Sequence, residues 1–378
     1  MPLVSIIVPM YKCESYVTSV LQSLSSQSFT NIEIICVVDG SPDNTLEVAK
    51  AYEQIDTRVR VFAQKHGGAG AARNTGFVLS RGEYVMFLDA DDLFPADYVS
   101  KMVEVAEKTS ADITVCQYYR DDNYLGIKQS GCGFRPENVT EPVMSPEKIK
   151  NLFYSISSVP HNKLFRKNLI DNHGLRFSTT QIWNDTFFVL CALVSANKIA
   201  FISANLYTYR QYDNSWSISS DRFEYQSDSM TVFKELYTWL INNHLFHQYE
   251  DSFYWKWKDG MYNILSSDNS KPFIKKLAAY IANSEPFCHM DCRELERKGG
   301  LTTAKAKVAK LLTSNKRKRQ RLDCFIRNME DLRCELSFCQ GKHIRPKDNI
   351  VRGIIWESKD IGFYHVLGKT FKWTKIFR

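Results

Sequence analysis

Hydrophobic residues fall into two alternating rhythms along the first 120 positions. Apolar runs at 4–8, 32–38, 59–62 and 84–88 have the length and β-branched content of buried strands. Between the first two, Tyr16, Val17, Val20, Leu21 and Leu24 recur at helical spacing. A Gly- and Ala-rich turn at 67–72 opens another helix, which ends near Ser80-Arg81-Gly82. A strand at 113–116 continues the series. Strand and helix in alternation predict an α/β fold with a mostly parallel central sheet and crossover helices.

The alternation fades after about Asp121, and Ser130-Gly131-Cys132-Gly133 reads as a loop. Regular patterns return near Pro146. From Phe223 onward the spacing is helical and aromatic: Phe223, Met230, Phe233, Leu236, Tyr237 and Leu240 share a face. The break at 215–222 predicts one domain over 1–218, divided into 1–120 and 121–218, and a basic helical domain over 219–378.

Charge sharpens that division. The net +7 of this 378-residue chain is unevenly placed: residues 271–378 hold about 25 Lys and Arg against about 11 Asp and Glu. The body is therefore acidic and the tail basic, so the tail is the part expected to attract phosphates. Lys305, Lys307, Lys310 and Lys316-Arg317-Lys318-Arg319-Gln320-Arg321 fit a basic amphipathic helix. Phe371-Lys372-Trp373 and Lys375-Ile376-Phe377-Arg378 mix aromatics with cations as interfacial anchors do. Two readings stand for 301–378, a solvated helix face and a dock for an anionic membrane surface; nucleic acid is not expected. Ten cysteines without paired CxxC spacing, no apolar run of spanning length and no signal-like N-terminus lead us to expect reduced thiols in a cytoplasmic protein, peripheral at most on the inner face of the membrane.

The candidate chemistry lies at three strand ends, where open α/β sheets bind ligands. The run at 84–88 enters Asp89-Ala90-Asp91-Asp92, and clustered carboxylates there call either for a divalent metal carrying phosphate or for a helix to cap near Pro95-Ala96. Pro9-Met10-Tyr11 follows the first strand and offers a ring to stack on a base. Asp39-Gly40-Ser41-Pro42-Asp43 follows the second, with Asp39 suited to a base edge or ribose. Gly68-Ala69-Gly70 opens like a dinucleotide fingerprint, but Arg73 falls where that motif needs a small residue.

Four blocks, 4–11, 38–45, 67–74 and 82–92, resemble in order and spacing those of glycosyltransferase family 2, inverting transferases with the nucleotide-binding GT-A fold, including bacterial surface-polysaccharide enzymes. Val38 and His66 depart from the usual Asp and Asn. The resemblance implies that Pro9, Tyr11, Asp39, Arg73, Asp89 and Asp91 bind a nucleotide-sugar donor, UDP-linked, with a structural salt bridge the alternative for Arg73, and that Asp91 with Asp89 holds Mn2+ or Mg2+. It implies that Asp185, in Gln181-Ile182-Trp183-Asn184-Asp185, is the base that deprotonates the acceptor hydroxyl, the alternative being a helix cap. Trp183 and Asn184 would meet the acceptor, a glycan or lipid-linked glycan, with a place in the core the equal alternative for Trp183. Tyr209-Arg210 resembles the end of the transferase domain, with Arg210 near donor phosphates. The expected activity is metal-dependent inverting transfer of a hexose or N-acetylhexosamine in surface polysaccharide synthesis. A sugar-phosphate nucleotidyltransferase and a non-catalytic partner of the same fold are the alternatives.

Overall fold

The computed structural model describes residues 2–122, 127–211 and 226–267 and two short strands, Ile354–Trp356 and Tyr364–Val366. The break expected at 215–222, the basic run at 305–321 and the aromatic terminus lie outside the described residues. The chain forms two compact units, Met1–Lys256 and Trp257–Arg378. In the second, the two short strands pair antiparallel.

In the first unit the strands are β1 (Val4–Met10), β2 (Ile32–Asp39), β3 (Val59–Gln64), β4 (Tyr84–Phe87), β5 (Ile113–Asp122), β6 (Ile127–Gln129), β7 (Val143–Met144), β8 (Lys163–Arg166) and β9 (Ile199–Gln211). They form one sheet in the order β3-β2-β1-β4-β8-β5-β9-β7, with β6 beside β5. Pairing is parallel from β3 through β4 and again between β5 and β9. β8 is antiparallel to both β4 and β5 and joins the two parallel parts. Periodicity in the sequence finds β1 to β5 but not β8 or β9. β8 is only four residues long, and the exposed Ser203 and Ala204 break the apolar run of β9.

Helices α1 (Glu14–Ser25), α2 (Thr45–Glu53), α3 (Ala69–Leu79) and α4 (Tyr98–Thr109) are the crossovers. Because both faces of β1 and β2 are covered, these strands read as continuous hydrophobic runs. Two short helices, α5 (Leu152–Ser155) and α6 (Lys167–Asn172), precede α7 (Asn184–Ser195), whose nearly all-apolar sequence suits a helix buried on most sides. α8 (Gln226–Asn242) follows in the first unit, and α9 (Phe246–Ser267) begins there.

One aromatic cluster fixes the geometry of the site. The Phe87 ring lies edge-on to Phe177 at 4.7 Å and to Phe188 at 5.3 Å, and Phe177 stacks on Phe188 at 4.1 Å. Phe87 is the last residue of β4, two before Asp89, and Phe188 is in the first turns of α7, three after Asp185. Packing in the core thus sets the end of β4 against the start of α7.

Candidate active site

Asp89 follows β4 and accepts a 2.7 Å hydrogen bond from Arg73 Nη2 of α3. Burial raises its pKa, but the charges of Arg73 and His161 and the Arg73 hydrogen bond outweigh that and hold the carboxyl below its ordinary value. Asp91 has the opposite balance: burial first, then the charge of Asp89, pushes its pKa up to about 6. Arg210, on β9, donates from Nη2 to the Asp91 carbonyl at 2.8 Å.

Asp92 does not cap a helix. It is fully buried, and its Oδ1 accepts from the Arg210 backbone N–H at 3.1 Å, while Oδ2 has no hydrogen-bond partner among the described residues. Burial, then Asp91 and Asp89, pushes its pKa well up, which favours the neutral acid. The cap of α4 is supplied from elsewhere: Gln27 Oε1 accepts from Val99 N at 3.0 Å. The helix itself starts at Tyr98, later than Pro95-Ala96 implies.

Arg73 is buried and spans the site. Its Nη1 donates to Asn184 Oδ1 at 2.9 Å, and the guanidinium lies over Phe177 at 5.4 Å. The close approach of α3 to the 177–184 segment needs Gly70, where a Cβ would meet Ser178 O at 2.1 Å. Asn74 then makes a reciprocal pair with the Phe177 backbone, donating at 3.0 Å and accepting at 2.8 Å. Asp185 occupies the first turn of α7, half-buried, and burial is the main reason its pKa is raised.

The nucleotide end of the sheet has its own network. Asp39 is buried and its carboxylate accepts three hydrogen bonds, from Gln64 Nε2 at 2.7 Å, Gly67 N at 2.9 Å and Gly68 N at 2.7 Å, while His66 Nδ1 lies 3.0 Å from the Asp39 backbone carbonyl and 2.9 Å from its Oδ2. The His66 ring stacks on Tyr11 at 4.4 Å. Gly40 turns at φ +62°, where a Cβ would lie 2.7 Å from His66 N. Lys12 N donates to Ser41 Oγ at 2.7 Å and joins the loops after β1 and β2. Pro9 sits within β1 opposite Val37.

Among the described residues no group of three or more His, Cys, Asp or Glu side chains is arranged to hold a metal by itself. Asp89 and Asp91 therefore fit a cation only when substrate oxygens and water complete the shell, which is the habit of Mg2+ and Mn2+ at phosphates. The all-oxygen donor set suits these ions.

With this geometry in view, comparison with known proteins is direct. The sequence profile of Glycosyl transferase family 2 matches residues 5–174. The glycosyltransferase GlyG of Streptococcus pneumoniae is 30% identical over 239 residues, 62% of this chain and 79% of GlyG. The chain belongs to glycosyl transferase family 2. EpsJ of Bacillus subtilis, named an uncharacterized glycosyltransferase, is 34% identical over 221 residues, 57% of this chain and 62% of EpsJ, so the match spans less than two thirds of that relative. The crystal structure of S. aureus TarS 1-349 in complex with UDP-GlcNAc superposes with a TM-score of 0.61 at 20% identity, covering 91% of this chain and 93% of that one. At that identity the likeness establishes the GT-A fold.

Within this family member, the residues expected from the sequence land in three places. Tyr11 and Asp39 meet through His66, and Asp89 and Asp91 sit at the end of β4. Asp185, in the first turn of α7, is near enough to Asp89 to feel its charge. Two of the expected residues are engaged within the protein itself. Asn184 is 6% exposed, with its amide engaged by Arg73 and by the carbonyls of Thr180 and Gln181. Arg73, 7% exposed, bridges Asp89 and Asn184, which is the salt bridge the sequence held open beside a donor contact. Trp183 is half-buried with its ring 6.1 Å from Phe233 of α8.

Sequence reasoning missed His161 and Lys163. The His161 ring is buried, bonded to the Tyr207 hydroxyl and stacked on Tyr209 at 5.2 Å; burial lowers its pKa to about 4. Lys163 is fully buried, and its Nζ donates at 2.7 Å to Ser157 O, Val159 O and Asn162 Oδ1. Lys163 stands beside only two apolar residues, Leu164 and Phe165, before Arg166 and Lys167, so the sequence carries little signal of its burial. Among the described residues no helix is long and apolar enough to cross a membrane.

Proposed function

We propose that this chain catalyses inverting, metal-dependent transfer of a hexose or N-acetylhexosamine from a UDP-sugar to a hydroxyl of a glycan or glycolipid acceptor in surface polysaccharide synthesis. The observation that carries the reading is the Arg73 bridge. It bonds Asp89, a donor-side acid, and Asn184, the residue before Asp185, across 111 positions of sequence. Phosphate-facing acids and a candidate base therefore converge on one place.

Asp185 accepts the proton of the acceptor hydroxyl as its oxygen attacks the anomeric carbon from the face opposite the diphosphate, so configuration inverts. A raised pKa makes its carboxylate a stronger base toward the acceptor hydroxyl. A divalent cation held by Asp91 and Asp89 would supply charge stabilisation for the departing diphosphate. Tyr11 offers its ring, and Asp39 a carboxylate, to the uracil. His66 now holds both, so base binding exchanges His66 for uracil. Support for UDP comes from TarS, named a poly(ribitol-phosphate) beta-N-acetylglucosaminyltransferase and crystallised with UDP-GlcNAc. The basic segment 301–378 would dock on an anionic membrane surface.

The test is a panel of UDP- and GDP-sugars scored for nucleoside diphosphate release with and without Mn2+. Release from one UDP-sugar, lost with chelator, supports the reading. Equal release without metal, or none from any UDP-sugar, contradicts it.

A further inference from the structure

The turn that presents Asp185 is held from two directions. One is α3, through Gly70, Arg73 and Asn74. The other is α8, far downstream in sequence. Asp228, in the first turn of α8, accepts from Gln181 N at 2.8 Å and Ile182 N at 3.1 Å, both on the single oxygen Oδ2. Five positions further along α8, Phe233 meets the ring of Trp183.

These contacts fall on the residues just before α7. Trp183 is the N-cap of that helix and adopts φ +65°, a left-handed conformation uncommon for a bulky side chain. Such a backbone persists where its surroundings impose it. The two peptide N–H groups ahead of Trp183 are fixed by one carboxylate, its ring is packed against α8, and its carbonyl accepts from Thr186 N at 3.0 Å. Asp185 lies within that capped turn. Its direction is therefore set by how residues 181–183 are anchored.

We propose that Asp228 is a positioning residue for the transfer, one that aims Asp185 without touching substrate. The inference rests on Asp185 being the base. Removing the carboxylate leaves Gln181 N and Ile182 N without their partner and frees the turn to relax. A shift of about 1 Å in a reacting group can cost on the order of a hundredfold in rate. Donor binding, which uses the ends of β1, β2 and β4, should be untouched. It follows that α8 is part of the catalytic unit and not an accessory to it.

The experiment uses the full chain with Asp228→Ala, Asp228→Asn and Asp185→Asn. UDP affinity is measured by calorimetry, and kcat and KM by UDP release from whichever UDP-sugar the wild type turns over fastest. Asp228→Ala is expected to lower kcat by about ten- to a hundredfold, with UDP affinity and donor KM changed by less than about threefold. Asp228→Asn keeps an oxygen facing the two N–H groups and should restore most of that loss. Wild-type kcat in Asp228→Ala overturns the proposal. So do equal losses in both variants, or loss of UDP binding together with turnover, since these report damage to the fold. A fully active Asp185→Asn overturns the base assignment and the proposal with it, and is recognised because it arises in that arm alone.

Discussion

Arg73 donates to Asn184 Oδ1 at 2.9 Å while its other terminal nitrogen holds Asp89 at 2.7 Å, so one buried guanidinium ties the nucleotide side of the sheet to the helix that carries the candidate base. Lysine cannot reproduce that geometry, because a point charge cannot bond both partners in a fixed fork. Arg73→Lys is expected to keep the fold and lower kcat by at least about tenfold, whereas Arg73→Ala leaves Asp89 unpaired and should destabilise the protein by about 3–5 kcal/mol. Thermal melts and steady-state kinetics on both variants decide this; a lysine variant with wild-type kcat speaks against the bridge.

His66 gives a prediction of opposite sign. It bonds the Asp39 backbone carbonyl, lies against the Asp39 carboxylate and covers one face of Tyr11, yet it is the exposed member of that network. If uracil takes its place, His66→Ala should tighten UDP binding by about threefold to tenfold, roughly the worth of one hydrogen bond. Weaker UDP binding in that variant would show that His66 belongs to the base pocket.

The buried His161 makes stability depend on pH. Its folded pKa, about 4, lies below the ordinary 6.5, so between these values the unfolded chain binds a proton that the folded chain refuses. Stability from this group is present above 6.5 and is lost as the pH falls toward 4, by up to about 3 kcal/mol. Urea denaturation at several pH values should show this loss, and His161→Gln should flatten it. An unchanged slope in the variant contradicts the assignment.

Much of the nucleotide-binding half was legible in the sequence because each of its strands ends in chemistry. Val4, Ile6 and Val8 announce a buried strand, and Asp39, Asp89 and Asp91 mark where such strands stop. The acceptor half was less legible. β8 spans four residues and begins with the buried Lys163, and the exposed Ser203 and Ala204 break the apolar run of β9. Contacts of long sequence separation were invisible: nothing near Asp92 announces its bond to Arg210 N, and nothing near Gln181 announces Asp228. The tie that Asn184 makes to Arg73 was equally invisible, since the sequence offers it only as a polar residue beside a candidate base.

The central claim is that Asp185 takes the acceptor proton. Asp185→Asn keeps size and most hydrogen bonding but cannot accept a proton at neutral pH. The decisive measurement is UDP affinity and transfer rate for this one variant, side by side with wild type. Retained UDP affinity with transfer reduced by about a hundredfold or more is the expected result, and transfer at the wild-type rate would contradict the account.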